Sequence, residues 1–421
     1  MTQRFKALRG TRDILPDESL RWQRLERAVQ RVFGRYGFRE IRTPILESTA
    51  LFARSVGASS DIVGKQMYTF SAGDEAVCLR PESTASVVRA FVEHALHRRV
   101  ASGYPERYFY MGPMFRYERP QKGRQRQFHQ IGVELLGASE PLADAETIHM
   151  ADAFLEELGV GEREIVLNSV GDDRCRPAYR ERLQAWLAPR LEGLCSDCNR
   201  RSRENPLRVF DCKVEADRSV LLEAPTIGEA LCEPCKSHFA EVRRTLDRLG
   251  VAYRIEPHIV RGLDYYQRTV FEITSPDLGA QNAVMGGGRY DGLVEELGGP
   301  ALPGFGFAIG MERLISLIPE ERGGKEDVDL ALVSLGEEAW EATLGMAARL
   351  RTKGVGCIVP LVERPMDAQL RRADKAGARF ALFVGKEELT TGNYGLKDLR
   401  TGEHVDVDEA AIPARVKERG A

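Results

Sequence analysis

The spacing of apolar positions predicts secondary structure from the start of the chain. Apolar side chains recur at helical spacing over residues 17–36, which predicts an amphipathic helix that ends at Gly37. Residues 38–44 predict a strand, whose closing Pro44 cannot donate a hydrogen bond to a neighbouring strand. We therefore expect this strand at a sheet edge or at an interface.

Two longer strands are predicted at 108–118 and 127–137, where apolar and polar residues alternate. The polar segment 119–127 joins them, so together they predict an antiparallel hairpin with a long tip. A helix is expected over 144–159 and a strand over 164–170.

Residues 172–254 have a different character, because charged helical segments alternate there with cysteine pairs. This change predicts a module inserted into a larger domain. Strand-like segments resume after it, at 254–261, 268–274 and 282–286.

The polar segment 320–327 predicts a domain boundary, which divides the chain into domains at 1–325 and 327–421. Beyond the boundary, strands and helices alternate, which predicts a small α/β domain with parallel strands. Its predicted elements are strands at 328–335, 355–362 and 379–384 and helices at 337–353 and 365–377.

Composition is that of a folded protein with more than one core. The chain has 421 residues, of which 43% are hydrophobic and 29% charged, and its formal net charge is −3. Nucleic acid would therefore be attracted only by a local basic patch. The first twenty residues are too charged for a secretion signal, and no apolar run is long enough to cross a membrane. A cytoplasmic location is expected.

The segment Gly304-Phe-Gly-Phe-Ala-Ile-Gly-Met-Glu-Arg-Leu314 suits a nucleotide site. If its first part is a strand, Phe305, Phe307 and Ile309 share one face. The other face is bare and would let a purine lie against the backbone; it consists of Gly304, Gly306, Ala308 and Gly310. Arg313 would follow in the first turn of a helix and point at an anion. A buried strand with glycines for close packing would show the same pattern.

The predicted hairpin carries polar residues on one face. Arg116 and Glu118 share a face of its first strand, and Gln130, Gly132 and Glu134 share a face of its second. The tip between them holds four cations and no acid, which suits contacts with RNA phosphates and base edges, although basic loops are commonly only solvated.

Two shorter clusters combine cations, carboxylates and hydroxyl groups. They are Arg80-Pro-Glu-Ser-Thr84 and Arg261-Gly-Leu-Asp-Tyr-Tyr266. Such groups together can hold a zwitterionic amino acid that has a polar side chain.

In this order, the segments resemble the motifs of class II aminoacyl-tRNA synthetases, and specifically those of the histidyl-tRNA synthetase family. Residues 17–47 resemble the first class II motif, 115–130 the second and 304–314 the third. Residues 261–266 and 286–292 resemble two segments peculiar to the histidine enzymes. The resemblance covers almost the whole chain.

The resemblance implies an α+β fold: an antiparallel-sheet catalytic core with a helical insertion, followed by a C-terminal α/β domain of the anticodon-binding type. It implies a ligase of protein biosynthesis that joins L-histidine to tRNA(His) through a histidyl-adenylate, with ATP and Mg²⁺ as substrate. A homodimer is implied by the first motif. Activation then needs alignment and charge cancellation rather than a protein nucleophile.

The resemblance also implies the roles of individual residues. The catalytic cations are Arg116, Arg261 and Arg313, and no metal ligand is expected among the catalytic residues. The implied ATP-binding residues are Arg116, Glu118, Phe128 and Arg313, with Phe128 stacked on adenine. The implied histidine-binding residues are Glu82, Ser83, Thr84, Arg116, Gln130, Glu134, Arg261, Tyr265 and Tyr266. Ser83 departs from the glycine often found there. Arg119 and Gln121 are implied to approach the acceptor end of the tRNA.

The pairs Cys195-x-x-Cys198 and Cys232-x-x-Cys235 have the spacing of a tetrahedral thiolate zinc site, with Cys212 between them. The resemblance requires no metal here, and buried cysteines can simply pack. Structural zinc and simple packing therefore both stay open, whereas catalytic zinc is not expected.

Two other functions are compatible with parts of the sequence. One is a non-catalytic relative, the regulatory subunit of the ATP phosphoribosyltransferase of histidine biosynthesis, which shares the catalytic fold. The other is a class II synthetase for a different amino acid. Intact Arg116, Arg261 and Arg313 and the domain after residue 327 disfavour the first, and residues 261–266 disfavour the second.

Overall fold

The computed structural model divides the chain into two compact units. The larger is Met1–Leu15 with Arg21–Pro319 and the smaller is Pro16–Leu20 with Glu320–Ala421. The described residues are 4–57, 60, 62–100, 104–120, 123–279, 282–319 and 328–417. The predicted boundary at 320–327 lies outside them, so the division at that point stays a prediction.

Sixteen strands occur in the described residues. They are β1 (Arg39–Glu40), β2 (Leu46–Ser48), β3 (Tyr68–Ala72), β4 (Glu75–Leu79), β5 (Glu106–Phe115), β6 (Gln127–Leu136), β7 (Glu164–Ser169), β8 (Arg254–Ile255), β9 (Gln267–Thr274), β10 (Ala283–Arg289), β11 (Gly304–Gly310), β12 (Leu330–Ser334), β13 (Cys357–Ile358), β14 (Phe380–Val384), β15 (Asn393–Asp398) and β16 (His404–Asp408).

The α-helices of the same residues vary in length from one turn to five or more. They are α1 (Pro16–Arg35), α2 (Thr49–Ser55), α3 (Thr84–Glu93), α4 (His97–Val100), α5 (Pro141–Glu157), α6 (Arg176–Leu187), α7 (Ser196–Glu204), α8 (Glu215–Leu221), α9 (Glu233–Arg248), α10 (Leu293–Glu296), α11 (Met311–Leu317), α12 (Ala339–Thr352), α13 (Met366–Lys375), α14 (Lys386–Thr391) and α15 (Ile412–Lys417). None of these helices is long and apolar enough to be a candidate membrane span.

An eight-stranded sheet forms the centre of the larger unit, in the order β1-β5-β6-β11-β10-β9-β7-β8. Its inner pairs are antiparallel, and only the outer pairs β1–β5 and β7–β8 are parallel. The predicted hairpin is β5 and β6, which pair from Glu106 with Leu136 to Phe115 with Gln127.

The main core of this unit lies on one face of the sheet, where α1 and α5 pack. Phe305, Phe307 and Ile309 of β11 are buried in it together with Leu25 and Phe33 of α1. The alternation along β11 thus directs its large side chains to the core, as expected. Its glycines are left on the opposite face.

Three predicted strands are much shorter than expected, and one of them, predicted over 355–362, is reduced to β13. In the other two, distant side chains bind backbone carbonyl groups that a longer strand would use. The strand predicted over 38–44 is reduced to β1, since Arg80 donates hydrogen bonds of 3.0 and 3.4 Å to the carbonyls of Thr43 and Pro44. The strand predicted over 254–261 is reduced to β8. There the Asn168 amide donates to the carbonyls of Pro257 at 2.9 Å and Ile259 at 3.1 Å.

The inserted module lies between β7 and β8 and contains α6 to α9 with short 3₁₀ turns, as the change in composition predicted. Three of its side chains donate hydrogen bonds to the segment 261–266. Asn205 donates to Asp264 at 3.0 Å, Arg208 to the Gly262 carbonyl at 2.6 Å, and Arg176 to the Tyr266 carbonyl. The module therefore braces a segment in which the sequence places substrate-binding residues.

The smaller unit contains a five-stranded sheet in the order β13-β12-β14-β15-β16. The prediction of parallel strands is correct for β12 with β13 and for β12 with β14. It is incomplete, because β15 pairs antiparallel with both β14 and β16. Residues 399–403 form a short turn between β15 and β16, and so short a connection joins antiparallel strands only.

Candidate active site

A cavity of about 360 Å³ opens over strands β6, β10 and β11 of the large sheet. Arg116, Arg261 and Arg313 all line it, although they are far apart in the sequence. The structure therefore brings together the three cations that the sequence analysis singled out. Glu118, Phe128 and Gln130 also line the cavity.

The floor of the cavity lacks large side chains. Ala308 and Gly310 of β11 and Gly286 of β10 line it, and Gly286 pairs with Ala308 across the two strands. A Cβ atom on Gly286 would overlap the guanidinium group of Arg261. A side chain at this position would therefore displace the arginine, so the bare floor and the cation depend on each other.

Backbone carbonyls accept hydrogen bonds from both Arg116 and Arg313. Nε of Arg116 donates to the Pro81 carbonyl at 2.8 Å, and its guanidinium lies 5.2 Å from the centre of the Phe128 ring. Arg313 donates to the carbonyls of Ala283 at 2.9 Å and Gly123 at 3.2 Å. These carbonyl contacts fix the two guanidinium groups at the cavity, where positive charge suits an anionic ligand.

Arg261 is fixed differently, by an ion pair with Glu272 that leaves the arginine side chain 20% exposed. Its Nε atom and the Oε1 atom of Gln130 are both buried without a hydrogen-bond partner among the described residues. Buried polar atoms of this kind normally have partners, so both atoms suit a bound ligand.

A second group of polar side chains is buried next to this cavity around Glu134, which is 1% exposed. Its carboxylate accepts hydrogen bonds from Thr84 Oγ1 at 2.7 Å and from the Tyr290 hydroxyl. The ring of Tyr265 lies 5.6 Å from that of Tyr290 and 4.7 Å from that of Tyr266. Hydroxyl groups and a carboxylate in an aromatic enclosure can bind a small polar ring on its edges and faces.

Glu82 and Ser83 support this group from the start of helix α3. The Glu82 carboxylate accepts hydrogen bonds from the backbone N–H of Thr84 at 2.7 Å and of Ala85 at 3.0 Å. Ser83 is fully buried, with its Oγ 3.3 Å from Thr43 Oγ1. Both residues therefore fix the position of Thr84, and through it one hydrogen bond to Glu134.

Tyr290 was not predicted as a site residue, although it lies in the segment 286–292 that resembles the histidine enzymes. Arg289, the preceding residue, is completely buried and forms ion pairs with Asp144 and Asp291. Asp144 also contacts His238 at 2.8 Å. This buried network anchors the end of β10 and so positions Tyr290 beside Glu134.

Sequence reasoning also missed Asp211, which belongs to the inserted module and lines the cavity with Arg261. Burial raises the pKa of the Asp211 carboxyl, against the opposing effect of Arg208. No motif marks this residue in the sequence, because it approaches the cavity only when the module folds.

The basic tip of the hairpin is described in part. Arg119 is exposed, whereas Gln121 lies outside the described residues. The contacts of both residues with tRNA therefore stay predictions.

His129 alternates with Gln130 along β6 and so points to the other face of the strand. Its ring lies 4.9 Å from that of Trp22, and its Nδ1 atom lies 3.0 Å from Glu312.

The single four-cysteine zinc site that the spacing would allow is not the arrangement found. Each Cys-x-x-Cys pair belongs to a separate group that also contains a third cysteine and an aspartate. The groups are Asp172, Cys175, Cys232 and Cys235, and Cys195, Cys198, Cys212 and Asp217. Spacing identified the pairs correctly but not their partners.

The buried carboxyl of Glu134 has a consequence for stability. Burial raises its pKa from the ordinary 4.5 to about 8, despite the opposing hydrogen bonds from Tyr290 and Thr84. Between these pH values the folded protein retains a proton that the unfolded chain has released, so the free energy of unfolding falls as pH rises.

We expect the variant Glu134→Gln to lose this contribution. Between the unfolded and folded pKa values of Glu134, the unfolding free energy of the native chain should fall with rising pH more steeply than that of the variant. The difference should be up to about 1.4 kcal/mol per pH unit. Denaturant unfolding at several pH values measures the difference, with the exposed Glu156→Gln as the control. Identical pH slopes for the native chain and Glu134→Gln would contradict the assigned ionisation.

This fold and site are those of a class II aminoacyl-tRNA synthetase: an antiparallel sheet with a glycine floor, three arginines around one cavity and a buried polar group beside it. The family model described as histidyl-tRNA synthetase matches residues 10–314, and the model described as anticodon binding domain matches residues 329–419. The chain belongs to the histidyl-tRNA synthetase family.

Individual relatives agree with this assignment over nearly the full length. A protein of Anaeromyxobacter sp. (strain K) named histidine–tRNA ligase is 49% identical over 416 residues, which cover 98% of this chain and 99% of that protein. One of Halothermothrix orenii with the same name is 47% identical, covering 96% of both chains. The crystal structure of apo S. aureus histidyl-tRNA synthetase is 36% identical, with a TM-score of 0.83 over 99% of this chain and 100% of that one.

The comparisons confirm the predicted α+β fold with its antiparallel catalytic core and C-terminal anticodon-binding domain. They do not favour the regulatory subunit of ATP phosphoribosyltransferase, because full-length relatives at 47–49% identity are named as ligases. The class of enzyme expected from the sequence is thereby confirmed.

Proposed function

We propose that this chain joins L-histidine to tRNA(His) at the expense of ATP, and that the arginine-lined cavity with its buried neighbour is where histidine is activated. The observation that carries the proposal is the convergence of Arg116, Arg261 and Arg313 on one cavity above a glycine floor. This combination suits a nucleoside triphosphate, because the base can lie on the flat surface and the phosphates can contact the concentrated positive charge.

ATP would bind with its adenine against Phe128 and the bare strand β11, and with its phosphates between Arg116 and Arg313. Mg²⁺ would enter as part of this substrate. The carboxylate of Glu118 on the cavity wall offers oxygen ligands of the kind that Mg²⁺ prefers.

Histidine would bind with its imidazole among Glu134, Tyr265 and Tyr266, and with its carboxylate towards Gln130 and Arg261. The two imidazole nitrogens are one donor and one acceptor, so a carboxyl group and a phenol hydroxyl can satisfy both. Gln130 and Arg261 both line this cavity, and each has a buried atom without a partner among the described residues, so they suit the carboxylate end.

Activation follows from these positions without a protein nucleophile. The histidine carboxylate oxygen attacks the α-phosphorus, pyrophosphate leaves, and a mixed anhydride forms. Arg261, between the two substrates, stabilises the negative charge that develops on the α-phosphate in the transition state. Alignment of the two reactants supplies a further part of the rate.

In the second step the tRNA acceptor end would approach along the basic hairpin tip, through Arg119 and Gln121. The C-terminal unit would contact the anticodon, consistent with the family model it matches. We propose a cytoplasmic homodimer assembled through residues 17–47. Ile45 and Leu46, which are 40% and 53% exposed in the single chain, support an interface there.

Exchange of ³²P between pyrophosphate and ATP, measured with each of the common amino acids in turn, tests the proposal. We expect exchange with histidine alone, followed by charging of tRNA(His) in an aminoacylation assay. Exchange with another amino acid would contradict the histidine site. Absence of exchange with any of them would favour the non-catalytic regulatory subunit.

A further inference from the structure

The inserted module contains six of the cysteines in the chain, and the structure gathers them into two groups of identical composition. Each group has three cysteines and one aspartate, and the potential ligand atoms within a group all lie within 4.8 Å of one another. Group 1 consists of Asp172, Cys175, Cys232 and Cys235. Group 2 consists of Cys195, Cys198, Cys212 and Asp217.

The distances between sulfur atoms fit metal coordination and not covalent bonding. In group 1 the Sγ atoms of Cys175 and Cys235 are 3.9 Å apart, and in group 2 those of Cys195 and Cys212 are 3.8 Å apart. A disulfide requires about 2.05 Å. Two thiolates at about 2.3 Å from one tetrahedral zinc ion are about 3.8 Å apart.

The oxygen distances in group 1 agree with the same geometry. Oδ1 of Asp172 lies 3.6 Å from the Sγ atoms of both Cys175 and Cys232. Tetrahedral zinc with a carboxylate oxygen and a thiolate predicts a separation of about 3.6 Å. The other oxygen, Oδ2, is engaged by Arg174 at 2.7 Å, which orients the carboxylate for single-oxygen ligation.

Backbone N–H groups point at the sulfur atoms in both groups. The N–H of Asp172 donates to Cys175 Sγ at 3.2 Å. In group 2, the N–H of Val214 donates to Cys212 at 3.4 Å and that of Cys198 to Cys195 at 3.5 Å. Such contacts stabilise the negative charge of a thiolate ligand, and they are the outer hydrogen bonds that tune a metal site.

The cysteines also form part of the module's own apolar cluster. Its apolar cluster is small, and Cys175, Cys198, Cys212 and Cys235 are among its buried members. Modules of this size with a limited core commonly depend on a bound metal or on disulfides. Yet this module must hold Asn205 and Arg208 in place, because both donate hydrogen bonds to the substrate-binding segment 261–266.

We propose that the module contains two structural zinc sites, each a closed tetrahedron of three cysteine thiolates and one aspartate oxygen. Group 1 joins the two ends of the module, because Asp172 and Cys175 precede α6 whereas Cys232 and Cys235 lie at the start of α9. Group 2 holds its middle together. Four protein ligands leave no open position, so both sites are structural. The proposal does not depend on the proposed catalytic function.

Metal analysis of the full chain, purified without added metal or chelator, tests the number of sites. We expect two zinc ions per chain by mass spectrometry of the elements. The variants Cys198→Ser and Cys235→Ser should each retain one, and the double variant none. Cys78→Ala and Cys357→Ala, which change buried cysteines outside both groups, should retain two.

Replacement of zinc by Co²⁺ gives a readout that needs no variant. Tetrahedral thiolate ligation should produce intense charge-transfer and visible absorption that saturates at two cobalt ions per chain. Fewer than two zinc ions in the native chain, iron in their place, or disulfides among these six cysteines would each overturn the proposal. These measurements on the native chain decide the matter even if a cysteine variant does not fold.

Discussion

The variant Arg261→Ala is expected to lower the rate of histidine-dependent ATP–pyrophosphate exchange by about 10³-fold, the loss typical of removing one preorganised transition-state donor. Arg261 lines the cavity together with Arg116 and Arg313, and its Nε has no partner among the described residues. The loss should appear mainly in kcat, because the α-phosphate gains charge only in the transition state. The fold should be retained, since a partly exposed side chain is removed.

Two further variants show whether the loss comes from the missing arginine itself, from the unpaired Glu272 or from breaking an ion pair in this sheet. Arg261→Ala leaves Glu272 unpaired, so the double variant Arg261→Ala/Glu272→Gln removes the loose carboxylate and should stay inactive. Arg254→Ala breaks a comparable arginine–glutamate pair with Glu164 at the edge of the same sheet, away from the cavity. It should keep full exchange activity. Unchanged exchange kinetics in Arg261→Ala would refute the assigned role.

Regular patterns made much of the fold predictable. The helix expected over 17–36 is Pro16–Arg35, and the hairpin strands end within two or three residues of their predicted limits. These elements place one face in a large core, so their apolar period is strong. The small sheet of β2, β4 and β3 was missed because its strands are short and β3 is mostly exposed.

Other features depend on contacts that no local pattern encodes. Arg80 ends the first strand from about forty residues away along the chain. The third cysteine of group 1 follows the same rule, because Cys175 and Cys235 are separated by 60 positions. Cys-x-x-Cys spacing identifies two cysteines that can bind one metal ion, but the remaining ligands become known only from the folded structure.

The proposed nucleotide-binding part of the site was more predictable from the residues alone than the proposed histidine-binding part. The residues alone indicated the bare strand and the arginine that follows it, because alternation and charge are visible in the sequence. The assignment of the histidine-binding residues came from family resemblance instead. Tyr290 and Asp211 were missed, since each reaches the site through a buried network or a separately folding module.

The variant Glu134→Gln should lower kcat/KM for histidine on the order of 10³-fold, because the substrate imidazole would face an amide in a fully desolvated pocket. In the native chain the Glu134 carboxyl group accepts hydrogen bonds from Thr84 and Tyr290 and still has hydrogen-bonding capacity for the ligand. The Gln130–Arg261 end of the site is untouched, so KM for ATP should stay within a few-fold of the native value.

Steady-state exchange at saturating ATP and varied histidine measures kcat/KM for histidine. Exchange at saturating histidine and varied ATP measures KM for ATP. Glu156→Gln, the same substitution on an exposed helix position, should change neither. Equal loss of histidine and ATP affinity would indicate a disturbed fold, and full histidine activity would show that Glu134 does not contact the imidazole.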